Sequence, residues 1–261
     1  MSPYPEADAP VLRSLRDKVR ALSGWRRAML AFASGSLCVL AFAPFHAFPV
    51  LFLTLPVLVW LIDGARDPRD AAIAGWWYGF GYFLFNLFWI GEAFLVEAEK
   101  FAWLLPFAVT MLPAGIALFW AGASALCKRF WSADWTRVAL LAVIMAAVEW
   151  LRGHILTGLP WNVLGYALTY PLELMQSAAL FGVYALSILA VLIFTLPLVL
   201  LSDSERASAR LRLTAAAVAL VPLLALYAYG AWRLGAHPIR DVPGVQLRIV
   251  QPSVPQREKW Q

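Results

Sequence analysis

The residues best equipped for chemistry stand together between positions 149 and 162, in Glu149-Trp150-Leu151-Arg152-Gly153-His154-Ile155-Leu156-Thr157-Gly158-Leu159-Pro160-Trp161-Asn162. A carboxylate, a guanidinium, an imidazole and an amide occur here between two long apolar runs. Glu149 and Arg152 are three apart, so on a helix they can pair. At mid-membrane each charge would cost roughly 2.5–3.5 kcal/mol, less when paired or near the interface. Two readings follow: an interfacial ion pair that ends an apolar run, or a polar floor for a lipid headgroup. Gly153 and Gly158 bracket a segment too polar to span a bilayer. Pro160, Trp161 and Asn162 suit either an interfacial anchor or a loop lying in the interface.

Other constellations are thinner. Asn86, Trp89 and Glu92 recur in steps of three, which on a continuous helix makes one polar stripe facing protein or a wet cavity. His46, His154 and His237 are far apart and form no ligand motif, so no metal site is expected. Cys38 and Cys127 lie inside apolar runs and are not spaced as zinc ligands; Cys38 has no charged neighbour and Cys127 adjoins Lys128 only at the end of a run, so both read as small buried hydrophobes rather than nucleophiles. No phosphate-cradling glycine loop and no nucleophile elbow occurs. Neither a nucleotide nor any other cofactor is expected.

The elements that must position these residues are apolar helices. Of 261 residues, 62% are hydrophobic and 14% charged, where a soluble domain keeps roughly a quarter charged. The mean hydropathy is +0.70. The fold class expected is an all-α polytopic membrane protein with about seven transmembrane helices, near 28–43, 50–62, 71–95, 102–127, 138–151, 173–201 and 213–232. The first two are short for a core of roughly 30 Å. Ala41-Phe42-Ala43 resembles a signal cleavage site, but Pro44 follows it and a second apolar run comes soon after, so an uncleaved first span is expected. Gly75 and Gly79 have the spacing that lets another helix approach closely. Before the spans, Val11, Leu12, Leu15, Val19 and Leu22 repeat at helical spacing among basic residues. That pattern fits an amphipathic helix on a membrane surface, or a basic arm.

The net charge is +5. In so apolar a chain a basic excess belongs to the cytoplasmic lipid face, not to nucleic acid. Six Lys and Arg precede the first span (Arg13, Arg16, Lys18, Arg20, Arg26, Arg27). Arg66 and Arg69 follow the second span, Lys128, Arg129 and Arg137 the fourth, and Arg206, Arg210 and Arg212 the sixth. The opposite side has Lys100 and Arg152. The N terminus is therefore expected in the cytoplasm, and residues 149–162 on the outer side with the exit of the last span. Beyond Trp232 and Arg233 comes a linker. Val245, Leu247 and Ile249 then alternate with Gln246 and Arg248 as in a strand.

Four blocks carry a resemblance: Phe42-Ala43-Pro44-Phe45; Gly79-Phe80-Gly81 with Asn86 and Trp89; Glu149-Trp150-Leu151-Arg152-Gly153 with Leu156-Thr157-Gly158-Leu159-Pro160-Trp161; and Val250-Gln251-Pro252-Ser253-Val254-Pro255-Gln256 with Lys259-Trp260. In this order they resemble the apolipoprotein N-acyltransferases of the bacterial inner membrane. The resemblance divides the chain into a basic cytoplasmic arm (1–24), a transmembrane domain (25–233), a linker (234–244) and the start of a truncated periplasmic α-β-β-α nitrilase-like (carbon-nitrogen hydrolase) domain (245–261). It implies that a Cys thiolate takes an acyl chain from a phospholipid donor as a thioester, with a Glu as base and a Lys at the oxyanion. The amine of a diacylated apolipoprotein then accepts the chain, without metal or nucleotide. It also implies that the catalytic Glu, Lys and Cys lie beyond Gln261, so that this chain alone is not expected to turn over. The substrate-side residues expected within it are Glu149, Arg152, Gly158, Pro160, Trp161 and Trp260, with membrane lipids as surroundings. The alternatives are a non-catalytic lipid-binding membrane module, a small transporter, and a membrane-tethered amidase of the nitrilase superfamily.

Overall fold

The computed structural model describes residues 9–205, 208–237, 244, 246–251 and 253–254. Trp260 and the expected strand's first residue, Val245, lie outside the described residues. Ten α-helices follow in order: α1 Ala9–Ala21, α2 Gly24–Cys38, α3 Leu51–Asp63, α4 Pro68–Asn86, the single turn α5 Ala98–Phe101, α6 Leu105–Arg129, α7 Thr136–His154, the single turn α8 Leu172–Met175, α9 Ala178–Asp203 and α10 Ala209–Ala236. The described residues hold no strand, and residues 246–251 run without regular secondary structure. Alternation alone makes no strand, since the backbone needs a ladder partner, and no described residue supplies one.

Three stretches are long and apolar enough to cross a membrane: Ala98–Arg129, Ala178–Asp203 and Ala209–Ala236. The other expected spans are shorter helices of 15, 13, 19 and 19 residues (α2, α3, α4 and α7), where roughly 20 apolar residues cross a bilayer. Short 3₁₀ turns lengthen two of them, Val39–Ala41 after α2 and Phe48–Val50 before α3. The expected span over 71–95 stops at Asn86, and Phe88–Leu95 winds as a 3₁₀ helix. The polar stripe is therefore broken: Asn86 is buried, whereas Trp89 and Glu92 are exposed.

Helix α4 is the centre of the bundle, packing most extensively against α6 and then α2. Gly75 and Gly79 are where α6 comes close: a Cβ on Gly75 would stand 2.7 Å from the Trp120 carbonyl oxygen, and one on Gly79 3.0 Å from Trp120 Cβ. Trp120 then stacks on Tyr78 and Tyr82 and meets Phe83 edge-on. Helix α9 joins this half to the other through α3, α7 and α10. Gly182, at φ 69° and ψ 167°, breaks α9 after its first turn.

The charged helix ends gather on one face. Arg137, at the start of α7, reaches Asp203 at the end of α9 (2.7 Å) and Asp63 at the end of α3 (3.2 Å). The Asp63 contact lies within ion-pair distance but lacks hydrogen-bond alignment. Arg16 of α1 donates to Asp203 and to the Ser202 carbonyl, and Lys128 at the end of α6 donates to the Ile62 carbonyl. Arg27 at the start of α2 bridges to Asp70 at the start of α4 (3.2 Å). The basic arm is thus a docked helix with Arg16 and Val19 buried, while Val11 and Leu15 face outward.

Candidate functional site

The opposite face carries residues 149–162. Two buried side chains near the end of α7 hold the segment that follows it. Glu149 is fully buried. The Leu164 N–H donates to its Oε1 (2.9 Å), and the Ser187 hydroxyl of α9 donates to its Oε2 (2.6 Å). Ser187 Oγ in turn accepts from the Gly165 N–H (2.9 Å). One carboxylate thereby fixes the 3₁₀ turn Leu164–Leu168 against α9, which satisfies two buried donors with a charged acceptor.

Arg152 is also buried, and its Nη1 donates to the Leu159 carbonyl (2.5 Å). Its guanidinium lies over the Phe83 ring, 5.1 Å from the centroid, a favourable cation–π placement. The pairing of Glu149 with Arg152 allowed by their spacing is not made: no ion pair joins them among the described residues. Each has a backbone partner across the segment instead, so the two act as separate anchors.

Between these anchors the backbone turns sharply. Leu156, Thr157, Gly158 and Asn162 all have positive φ (52°, 72°, 78° and 55°). Three of the four are not glycine, and that conformation is uncommon for side-chain-bearing residues. Gly158 is required twice over, because a Cβ there would also stand 2.4 Å from the Gly153 carbonyl oxygen. The turn leaves Leu156 exposed and Pro160 and Trp161 outward, with the Trp161 ring 5.0 Å from that of Trp89. His154 stacks on Trp150, His46 on Tyr170, and His237 lies beside Trp232, so the histidines stay apart.

Asn162 brings the segment to α4. Tyr82 OH donates to the Asn162 carbonyl (2.8 Å), and Asn162 Nδ2 donates to Asn86 Oδ1 (3.1 Å). Asn86 Nδ2 donates back to the Tyr82 carbonyl, and Trp89 Nε1 donates to the Asn86 carbonyl. These two asparagines and Trp89 form the polar edge of a pocket of about 630 Å³, whose other walls include Leu37, Leu40, Phe45, Phe85 and Phe88. An apolar chamber with a few convergent polar groups at one edge is the usual form of a small-molecule site. Asn162 and Leu37, Leu40 and Phe45 as pocket residues were missed from the sequence, because only the fold joins the end of α2 to the segment after α7.

The end of α10 reaches the same face. Arg233 donates to Gln176 Oε1, and Gly230 touches the Glu173 backbone so closely that a Cβ would clash. Among the expected site residues, Glu149, Arg152, Gly158, Pro160 and Trp161 are thus brought together on this face, and Trp260 lies outside the described residues.

Residues 34–196 match the family model described as the apolipoprotein N-acyltransferase N-terminal domain. Among relatives named apolipoprotein N-acyltransferase, that of Rhodopseudomonas palustris is 50% identical over 242 residues, covering 91% of this chain and 45% of the relative. That of Brucella suis is 44% identical over 261 residues, covering 96% of this chain and 48% of the relative. That of Rhizobium etli is 39% identical, covering 95% and 48%. The chain spans about half the length of the curated relatives it matches.

Proposed function

The chain belongs to the apolipoprotein N-acyltransferase family, and we propose that it is the membrane part of an enzyme that moves an acyl chain from phospholipid to the N-terminal amine of a diacylated apolipoprotein. In this reading α2, α3, α4, α6, α7, α9 and α10 are seven spans of a bacterial inner membrane. The gathering of charged ends on the arm's face supports a cytoplasmic N terminus, since Lys and Arg concentrate on that side. The pocket face and the end of α10 are then periplasmic, where a nitrilase-like domain begins at about residue 245.

The pocket edged by Asn86, Trp89 and Asn162 carries the proposal. It lies at the end of the bundle where α10 also ends, and its walls suit a phospholipid acyl chain with the ester end at the polar edge. In the exchange that the family resemblance implies, a thiolate attacks the acyl ester, a thioester forms and the lysophospholipid leaves. The amine then attacks the thioester, an amide forms and the thiol returns. The thiolate is not one of this chain's two: Cys38 and Cys127 are fully buried among helices, and Cys38 donates to Thr54 Oγ1 within the bundle. Glu149, Arg152 and Gly158 support this chemistry by holding the pocket edge and touch no reacting atom, whereas Pro160 and Trp161 face the substrate; the substrate-side role that the resemblance implies for Trp260 lies outside the described residues.

Photolabelling tests this reading. A phospholipid with a photoreactive group at its acyl terminus, supplied to membranes carrying the chain, is expected to label residues 37–45 and 85–89. Phe88→Trp, which adds bulk to the pocket wall from an exposed position and breaks no hydrogen bond, is expected to lower that labelling while leaving the melting temperature near that of the parent. Labelling spread evenly over all lipid-facing helices would overturn the assignment.

A further inference from the structure

A second groove, of about 750 Å³, lies on the arm's face of the bundle between α2 and α4. The two helices run side by side in the same direction and touch tightly near their far ends. A Cβ on Gly35 would stand 1.9 Å from the Tyr78 carbonyl oxygen, and one on Gly81 2.3 Å from that of Phe32. Nearer the arm, no glycine contact closes the seam. Met29, Phe32, Ile73 and Trp77 border an apolar trough there, with Met29 and Ile73 more than half exposed.

The trough ends in cationic chemistry. Arg27 lines it while 5% exposed, donating to the Leu61 and Gly64 carbonyls and to Asp70, and its Nε has no partner. Arg66 lines it with its side chain 86% exposed, 3.5 Å from the same Asp70. Trp25 also lines it, with Arg26 over the Trp25 ring. The start of α2 lies here too, with no side-chain cap from Ser23 and no acid in its first turn. That leaves backbone N–H donors and the positive end of the helix dipole without an internal partner. Helix α4, beginning beside it, is capped by Asp67. Two guanidiniums and an uncapped helix start therefore gather at one shared carboxylate, where the apolar trough begins.

We propose that this groove is a binding site for a phospholipid with a net negative headgroup in the arm-side leaflet. Its phosphate sits against Arg27, Arg66 and the start of α2, and one acyl chain lies along Met29, Phe32, Ile73 and Trp77. A net anionic head fits better than a zwitterionic one, because an ammonium would meet Arg27 and Arg66. The site is separate from the pocket at Asn86 and Asn162, which lies on the opposite face, so this lipid is a bound companion of the bundle and not the acyl donor. The inference rests on the membrane reading above.

The test uses the whole 261-residue chain purified in mild detergent. It is titrated with phosphatidylglycerol, with phosphatidylcholine and with sodium phosphate, and retained lipid is read by native mass spectrometry. One phosphatidylglycerol is expected to be retained in preference to phosphatidylcholine, with sodium phosphate failing to displace it. Arg66→Gln, at an exposed position, is expected to weaken retention about fivefold, from roughly 1 kcal/mol per basic residue at an anionic lipid surface. Ile73→Trp fills the trough without touching charge and is expected to weaken it as well. Equal retention of both lipids by parent and Arg66→Gln would overturn the proposal, and displacement by sodium phosphate would show a free-anion site instead. Carbonate washing separates the two readings. A chain released from membranes contradicts the membrane reading, whereas one that stays bound without headgroup preference contradicts the lipid site alone.

Discussion

Glu149 offers the sharpest test of how the pocket edge is held. Replacing it with Ala removes two charge-assisted bonds, from the Leu164 N–H and from the Ser187 hydroxyl. Ser187 has a fallback, the Val183 carbonyl at 3.4 Å, but the Leu164 N–H is buried and has none among the described residues. A bond to a charged group contributes about 1.5–3 kcal/mol, and an orphaned buried donor costs about 1–3 kcal/mol. Glu149→Ala should therefore destabilise by about 4 kcal/mol, which at about 3 °C per kcal/mol for a chain of this size lowers the melting temperature by roughly 12 °C. Glu149→Gln keeps a carbonyl oxygen for the Leu164 N–H but puts an amide NH2 where Oε2 accepted from Ser187, so it loses the charge and that bond while Ser187 turns to the Val183 carbonyl, and about 1–2 kcal/mol is expected. A double-mutant cycle of Glu149→Gln with Ser187→Ala, followed by thermal melting in detergent, isolates the link between α7 and α9, and a coupling near 1 kcal/mol is expected. Strict additivity, or an Ala variant melting with the parent, would refute the account of Glu149 as an anchor.

Three further outcomes follow from the same geometry. Arg137→Leu removes the cation paired with Asp63, whose side chain is 8% exposed and is left with the Trp131 indole N–H as its neutral partner; breaking a buried pair costs about 3–5 kcal/mol, and the remaining bond puts the loss at the low end of that range, so the variant should melt below the parent; Asp203 is more open and adds less. Gly158→Ala places a Cβ at positive φ against the Gly153 carbonyl, which should cost about 1–2 kcal/mol and raise hydrogen exchange in 155–162 while leaving α4 protected. Before α7, Asp134 accepts from the Thr136 hydroxyl, the Thr136 N–H and Ser132, bonds that hold its carboxyl below its ordinary range. A depressed carboxyl contributes order above its unfolded pKa and loses it as pH falls through the folded value. Exchange at 132–137 should therefore rise on acidification, and Thr136→Val should narrow the difference between acid and neutral pH.

What the sequence revealed and what it hid divide along a physical line. Apolar runs, the Gly75–Gly79 spacing and the basic helix ends are local patterns. The structure places α6 against those glycines and gathers the basic ends on one face. The polar character of 149–162 was legible for the same reason. Its bonding was not, because the helical spacing of Glu149 and Arg152 suggested a pair where each instead binds backbone brought back by the turn at 155–162. The stripe through Asn86, Trp89 and Glu92 failed because α4 ends at Asn86, where the side chain turns to Asn162, 76 positions on. No periodicity encodes a contact of that span.

The failure at Asn86 also explains why the pocket exists. Because α4 ends at Asn86, Phe88 and Trp89 leave the helix and border, with Phe85 and the end of α2, the space that forms the pocket. Asn86 gives its amide oxygen to Asn162 and its carbonyl to Trp89. The chain then departs as a 3₁₀ helix, whose tighter winding redirects its side chains. Two amides that would be costly in hydrocarbon satisfy one another at this helix end, and the opening they leave is apolar within and polar at its edge. The polar residues that look misplaced in so apolar a chain are the ones that shape this apolar chamber.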